Sequence, residues 1–150
     1  MRNALIAGAA AAVMLVLVGA ALAAAKPAAR AATVTTARTG LGQIIVDGRG
    51  RSLYLFEKDA HGRSNCSGLC ASYWPPLLTS GTSKAGRGVK ATLLGSVRRA
   101  DGTRQVTYAG HPLYFFSGDA KRGQTNGEGL KDFGAGWYVL TPAGKKIDRD

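Results

Sequence analysis

Two cysteines carry the most reactive side chains of this 150-residue chain, and Cys66 and Cys70 are the only two it has. Their C-x3-C spacing across Ser67-Gly68 permits a disulfide around a tight turn. An even cysteine count favours a structural disulfide in a chain that, as argued below, is exported. Two thiolates at this spacing can also hold Cu(I), a soft metal ion, with His61 as a further candidate ligand. Thiol exchange is a third alternative, although the usual C-x2-C motif is missing.

A second set of chemistry-bearing residues occurs twice, sixty residues apart. Alternate side chains of a strand point to opposite faces, so the tyrosine and phenylalanine of each copy share one face. The neighbouring residues on the other face are apolar too, which predicts a central strand covered on both sides. We expect core packing, with the lining of a groove for a flat or apolar ligand as the alternative. The two copies are Tyr54-x-Phe56-x-x-Asp59 and Tyr114-x-Phe116-x-x-Asp119.

The aspartates, Asp59 and Asp119, follow their strands at the point where the chain must turn. A carboxylate in that position can accept backbone N–H hydrogen bonds and organise the loop, which is the role we expect. The alternative is that the two aspartates bind a cation, but no cluster of further oxygen ligands accompanies them in the sequence.

Catalytic motifs are missing from the sequence. There is no G-x-S-x-G elbow, no H-E-x-x-H and no phosphate-binding G-K-S/T. The nine acidic residues form no recognisable acid–base pair. His111 precedes Pro112 in a predicted turn, without a nucleophile to serve. We therefore expect a protein that is not an enzyme and that carries no cofactor, with copper as the alternative.

The doubled motif indicates one structural unit built twice. The chain has 21 glycines, poor helical periodicity and short β-rich runs between turn signals. Asp47-Gly48 and Asp101-Gly102 lie in predicted hairpin turns, and one helical turn is expected between residues 66 and 74. We predict an all-β or β-rich fold, in which two homologous hairpin repeats (about 41–78 and 104–147) pack into one small sandwich- or barrel-like domain.

The N-terminal segment indicates export. Residues 1–25 contain a basic start, an apolar alanine-rich run and small residues at the end, which are the parts of a secretory signal peptide. An uncleaved membrane anchor is the alternative. Residues 26–39 are rich in Ala, Thr, Lys and Arg, and we predict a flexible linker there. The folded domain is then expected over residues 40–150.

The chain is strongly basic, with 20 Lys and Arg against 9 Asp and Glu and a formal net charge of +11. The basic residues are scattered and no nucleic-acid module is visible, so no nucleic-acid partner is expected. The partner we predict is an anionic envelope surface or another exported protein. Contact with a membrane is expected only through an uncleaved N-terminal segment.

Several motifs resemble a family of bacterial secreted repeats, described as predicted lipoproteins with a Tyr-x-aromatic-x-x-Asp motif. The resemblance spans about residues 41–147, and it implies an exported envelope protein of unknown activity. No cysteine lies near the end of the predicted signal, where a lipid would be attached, so a soluble secreted or periplasmic form is expected. The predicted function is a non-enzymatic binding or structural module, with extracytoplasmic copper handling or redox chemistry at Cys66 and Cys70 as the alternative. The motifs are LYLFEKD (53–59), CSGLCA (66–71), WPPLL (74–78), GHPLYFFSGD (110–119) and FGAGWY (133–138).

Overall fold

The computed structural model describes residues 30–60 and 62–149, and in them the chain is β-rich, as the sequence predicts. A single short α-helix and two 3₁₀ turns, at Ala91–Leu93 and Asp132–Gly134, interrupt the strands of this described part. The regular elements are β1 (Thr33–Thr39), β2 (Gly42–Asp47), β3 (Tyr54–Phe56), α1 (Leu69–Tyr73), β4 (Lys84–Ala85), β5 (Leu94–Arg98), β6 (Arg104–Tyr108), β7 (His111–Pro112) and β8 (Trp137–Val139).

The first repeat begins with a hairpin of β1 and β2 and turns back through the Asp47-Gly48 region into β3. The backbone N–H of Leu53 donates to the Ile45 carbonyl, which joins the third segment to the hairpin. On its far side β3 pairs antiparallel with β8, which comes from the other end of the chain. The sheet that starts in the first repeat is therefore completed by a strand of the second.

The second repeat follows the same plan. Strands β5, β6 and β7 form an antiparallel sheet. The segment 74–78 of the first repeat adds to it, because the Val106 N–H donates to the Leu77 carbonyl and the Phe115 N–H to the Pro75 carbonyl. Each repeat thus gives its tryptophan-bearing segment to the sheet of the other.

The two halves meet at one reciprocal pair of backbone hydrogen bonds. The N–H of Tyr54 donates to the carbonyl of Tyr114 at 2.9 Å, and the N–H of Tyr114 donates to the carbonyl of Tyr54 at 3.0 Å. A reciprocal pair of this kind relates the two copies by an approximate twofold axis. The doubled tyrosines lie beside that axis.

The doubled strands have a different hydrophobic cluster on each face. Leu53 and Leu55 contribute to one cluster together with Leu113, whereas Tyr54 and Tyr114 belong to the other. This follows from the alternation of side chains along a strand. All three residues of β3 are buried, so the prediction of a strand covered on both faces is confirmed.

The linker predicted over residues 26–39 is wrong for Thr33–Thr39, and so is the predicted start of the domain at residue 40. These residues form β1, which pairs with β2 from Val34 to Thr39 and, in parallel, with β4. Val34 is fully buried. The segment lacks an apolar period because threonine and arginine fill most of its positions, yet threonine and valine are β-branched and favour strands.

The other predicted hairpin is present, because strands β5 and β6 flank the Asp101-Gly102 turn. A further bridge joins Leu140 to Lys146 near the end of the described residues. Helix α1 lies in the segment predicted to hold one helical turn. The predicted signal peptide lies outside the described residues, as does the linker over 26–29. In the residues that the structure does describe, no helix is both long and apolar enough to span a bilayer.

Candidate functional site

The tyrosines and aspartates of the doubled motif form two crossed pairs. The Tyr54 hydroxyl donates to Asp119 Oδ2 at 2.6 Å, and the Tyr114 hydroxyl donates to Asp59 Oδ2 at 2.8 Å. Each tyrosine therefore binds the aspartate of the other repeat. The pairs join the repeats at the side chains, beside the point where their backbones already exchange hydrogen bonds.

The second oxygen of each carboxylate organises the loop that follows its own strand. Asp59 Oδ1 accepts from the N–H of Asn65 at 2.6 Å, and Asp119 Oδ1 accepts from the N–H of Asn126 at 2.9 Å. The asparagine side chains reach back to the carbonyl before each aspartate. Each carboxylate thus holds its own loop through one oxygen and binds the tyrosine of the other repeat through its second oxygen.

Six aromatic rings pack between the two repeats. The indoles lie face to face, with their centroids 3.9 Å apart and their planes 7° from parallel. A phenylalanine packs against each indole at 4.0 or 4.4 Å, and a tyrosine meets each indole edge-on. Such pairs add about 0.5–1.5 kcal/mol each beyond their buried area. The rings are Trp74, Phe116 and Tyr54 in one set and Trp137, Phe56 and Tyr114 in the other.

This aromatic face does not line an open groove. Tyr54, Tyr114 and both indoles are fully buried, and Phe56 is 1% exposed. A carbon side chain in place of Gly127 would come within 2.7 Å of the Trp74 ring, so even the adjoining loop lies in close contact with the stack. Phe116 alone of the six rings is partly exposed, so the doubled motif is a structural centre.

Burial sets the electrostatics of the crossed pairs. It raises the pKa of Asp59 to about 6, despite opposing hydrogen bonds from Asn65 and Tyr114 and the nearby positive charge of Arg99. Burial raises the pKa of Asp119 as well. Burial, with the adjoining carboxylates, also raises the pKa of the Tyr54 and Tyr114 hydroxyls. These hydroxyls therefore remain protonated donors at physiological pH.

Arg99 breaks the symmetry of the two pairs. Its guanidinium donates to Ser64 Oγ, Gln105 Oε1 and the Cys66 carbonyl, each at 2.7 Å. The Ser64 hydroxyl lies 2.7 Å from that of Tyr114, which places Arg99 next to the Asp59 pair. Sequence reasoning missed this residue, because it stands in the doublet Arg98-Arg99 and nothing in the pattern distinguishes its buried member.

The cysteine sulfurs of Cys66 and Cys70 are bonded to each other, so the predicted disulfide is confirmed. A disulfide offers no thiolate to a copper ion. His61, the further ligand considered for copper, lies outside the described residues. Among residues 30–60 and 62–149, no group of three or more His, Cys, Asp or Glu side chains is placed to hold a metal ion. Copper binding stays a prediction.

Basic side chains dominate the exposed charge of the described residues. Every lysine and arginine of the described residues is exposed, with the exception of Arg99. Three carboxylates, those of Glu57, Asp101 and Asp148, are exposed as well. Seven of the described carboxylates, these three included, accept hydrogen bonds or form ion pairs with other groups of the chain. Besides the crossed pairs, these contacts join Asp47 to the N–H groups of Arg49 and Arg51, Glu128 to the N–H of Val139, Asp101 to Thr103, and Glu57 and Asp148 to Lys146.

Comparison with known families gives two matches to a family described as a secreted repeat of unknown function, over residues 35–78 and 95–141. Together they cover more than half of the chain. The chain belongs to this family. No match was found among curated proteins or among solved structures.

Each match to the secreted repeat contains the same structural unit. It begins inside the first strand of a hairpin, β1 or β5, and ends just after a tryptophan-bearing segment. The resemblance inferred from the motifs is confirmed, and the protein is a secreted one. The repeats start earlier than the sequence predicted, because the first strand of each hairpin was left out.

The crossed pairing predicts which side chains are energetically coupled. Tyr54→Phe leaves Asp119 Oδ2 without its tyrosine donor and should destabilise the protein by about 1–3 kcal/mol in urea unfolding. Tyr54→Phe and Asp119→Asn combined should show a coupling energy of about 0.5–3 kcal/mol. Tyr54→Phe and Asp59→Asn, which pairs the tyrosine with the aspartate of its own repeat, is the control. A larger coupling in that control would contradict the crossed arrangement.

The raised pKa of Asp59 predicts a pH dependence of stability. A carboxyl whose pKa rises on folding contributes stability that is fully present below its ordinary pKa, about 4, and that is lost as the pH rises through 6. The melting temperature of the wild type minus that of Asp59→Asn should therefore fall between pH 4 and pH 7. Thr103 lowers the pKa of the exposed Asp101, so the same difference for Asp101→Asn should stay flat above pH 5. A pH-independent difference for Asp59→Asn would contradict the assignment.

The disulfide closes a short loop, so its removal should cost little. Cys66→Ser combined with Cys70→Ser should lower the free energy of unfolding by about 2 kcal/mol, from the chain-entropy estimate, and leave the near-ultraviolet circular dichroism of the buried indoles unchanged. Loss of that signal would show that the fold requires the bond. Copper binding by the reduced wild type, but not by the folded serine variant, would favour the metal alternative.

Proposed function

We propose that this secreted repeat protein is a non-catalytic module that attaches to an anionic surface of the cell envelope. The observation that carries the proposal is the excess of exposed basic side chains. Among the described residues, seventeen lysines and arginines are exposed, against three exposed carboxylates. A chain with a formal net charge of +11 thus presents its excess of positive charge outward.

The physics of such attachment is additive. Each lysine or arginine near an anionic membrane surface contributes about 1 kcal/mol, and the attraction decays over a Debye length of about 10 Å at 0.1 M salt. A carboxylate that already accepts two backbone N–H groups, as Asp47 does, is held in its loop. It forms an ion pair with Arg51 at 3.2 Å and has little freedom to turn toward other basic side chains.

The state of the doubled motif supports a non-catalytic role. Its two carboxylates are buried in part, and both are hydrogen-bonded to a tyrosine of the other repeat. Its tyrosine hydroxyls are buried donors with raised pKa values. A general base or nucleophile needs access to substrate, and these four groups instead hold the two repeats together.

Sedimentation with lipid vesicles tests the proposal. The exported protein should bind vesicles containing phosphatidylglycerol at low salt and should not bind vesicles of phosphatidylcholine alone. Because surface attraction is screened by salt, the binding should weaken by about tenfold or more as the salt is raised from 20 to 500 mM. Equal binding to both kinds of vesicle, or no binding at low salt, would contradict the proposal.

A further inference from the structure

A cavity of about 420 Å³ lies where the turn after β2 meets the segment 74–78. Its wall combines positive charge with apolar surface, and it contains one carboxylate, that of Asp47. The positive charge comes from three arginines, and a further guanidinium lies close by, since Arg122 Nε donates to the Arg49 carbonyl at 2.7 Å. The lining residues that carry the argument are Arg30, Arg49, Arg51, Leu77, Leu78 and Phe115.

Arg51 is held in place before any ligand arrives. Its guanidinium lies over the Phe115 ring, 3.7 Å from the ring centroid. Its Nε donates to Asp47 Oδ2 at 3.2 Å, while Asp47 Oδ1 accepts from the N–H groups of Arg49 and Arg51. A guanidinium fixed on an aromatic face loses less conformational freedom when it binds, which favours affinity.

The local charge is unbalanced. Three arginines face one carboxylate, and that carboxylate is already shared among two backbone N–H groups and one guanidinium. Like charges brought together on a concave surface repel one another, and an incoming anion would relieve the repulsion. The other long side chains, those of Arg30 and Arg49, are exposed and able to close on such an anion.

We propose that this cavity binds a phosphate group, and that it is the specific point at which the protein holds an anionic surface; the inference rests on the proposed function. The planar guanidinium matches two phosphate oxygens at once, and a tetrahedral phosphate offers oxygens to several arginines from different directions. Leu78 is 43% exposed at the cavity wall, beside the partly buried Phe115. Apolar surface next to the arginines suits a phosphate that is esterified to a carbon chain, as in a phospholipid headgroup.

A matched pair of variants tests the site. Arg30→Gln with Arg49→Gln removes two charges from the cavity wall and keeps Arg51, which has contacts within the fold. Arg38→Gln with Arg98→Gln removes the same charge elsewhere, since Arg38 lies five residues along β1 from the lining residue Thr33, roughly 17 Å away. We expect affinity for phosphatidylglycerol vesicles to fall about tenfold or more in the first variant and about threefold or less in the second. Equal losses would overturn the site and leave the proposed function standing.

A soluble probe distinguishes the phosphate from the lipid that carries it. Titration with glycerol 3-phosphate should shift the NMR signals of the Arg49 and Arg51 side-chain N–H groups in a saturable way, and Arg30→Gln with Arg49→Gln should remove the Arg51 shift. If no shift occurs but vesicle binding still depends on Arg30 and Arg49, the site needs the lipid headgroup. If the shift and that dependence are both absent, the site is overturned. A saturable shift without any vesicle binding would contradict the proposed function alone.

Discussion

The whole arrangement depends on the contact between Tyr54 and Tyr114. Their backbones exchange two hydrogen bonds, and their hydroxyls then reach the aspartates of opposite repeats. Because each tryptophan-bearing segment also crosses to the other sheet, a single repeat would lack both a strand and the partner of its buried carboxylate. Half of this protein would expose a sheet edge and its part of the aromatic stack to water, which is costly. The repeats therefore form one folding unit.

The sequence determines some of these features at short range and leaves others open. Period-two patterning around Tyr54 predicts a strand covered on both faces, and the structure has one. The same pattern could not predict that each tyrosine binds the aspartate of the other repeat. Pairing within a repeat and pairing between repeats require the same residues at the same spacing. Strand β1 was missed for a different reason. Its partner β2 follows directly in the sequence, but Val34 is its one fully buried side chain, so the segment shows no apolar pattern. Arg99 was missed because burial of a charge depends on partners that only the fold assembles.

Differences between the repeats show how one loop plan can be stabilised in two ways. Both loops contain a glycine with positive φ, Gly68 at 56° and Gly129 at 74°. In the first repeat the disulfide closes the loop and Arg99 binds the Cys66 carbonyl. In the second repeat there is no covalent closure. Gly127 instead lets the backbone lie against the Trp74 ring, where any larger residue would collide.

The same comparison separates structure from recognition. The features that occur twice are the hairpin, the tyrosine strand, the aspartate loop and the tryptophan segment, and all of them are engaged in joining the repeats. The arginines of the cavity occur once. Arg30 precedes β1, and Arg49 and Arg51 lie in the turn between β2 and β3, whereas the corresponding turn of the second repeat, between β6 and β7, holds Ala109 and Gly110. The proposed site can thus change its charge at Arg49 and Arg51 without disturbing the crossed pairs, and this independence favours the proposed site over the doubled motif as the place of recognition.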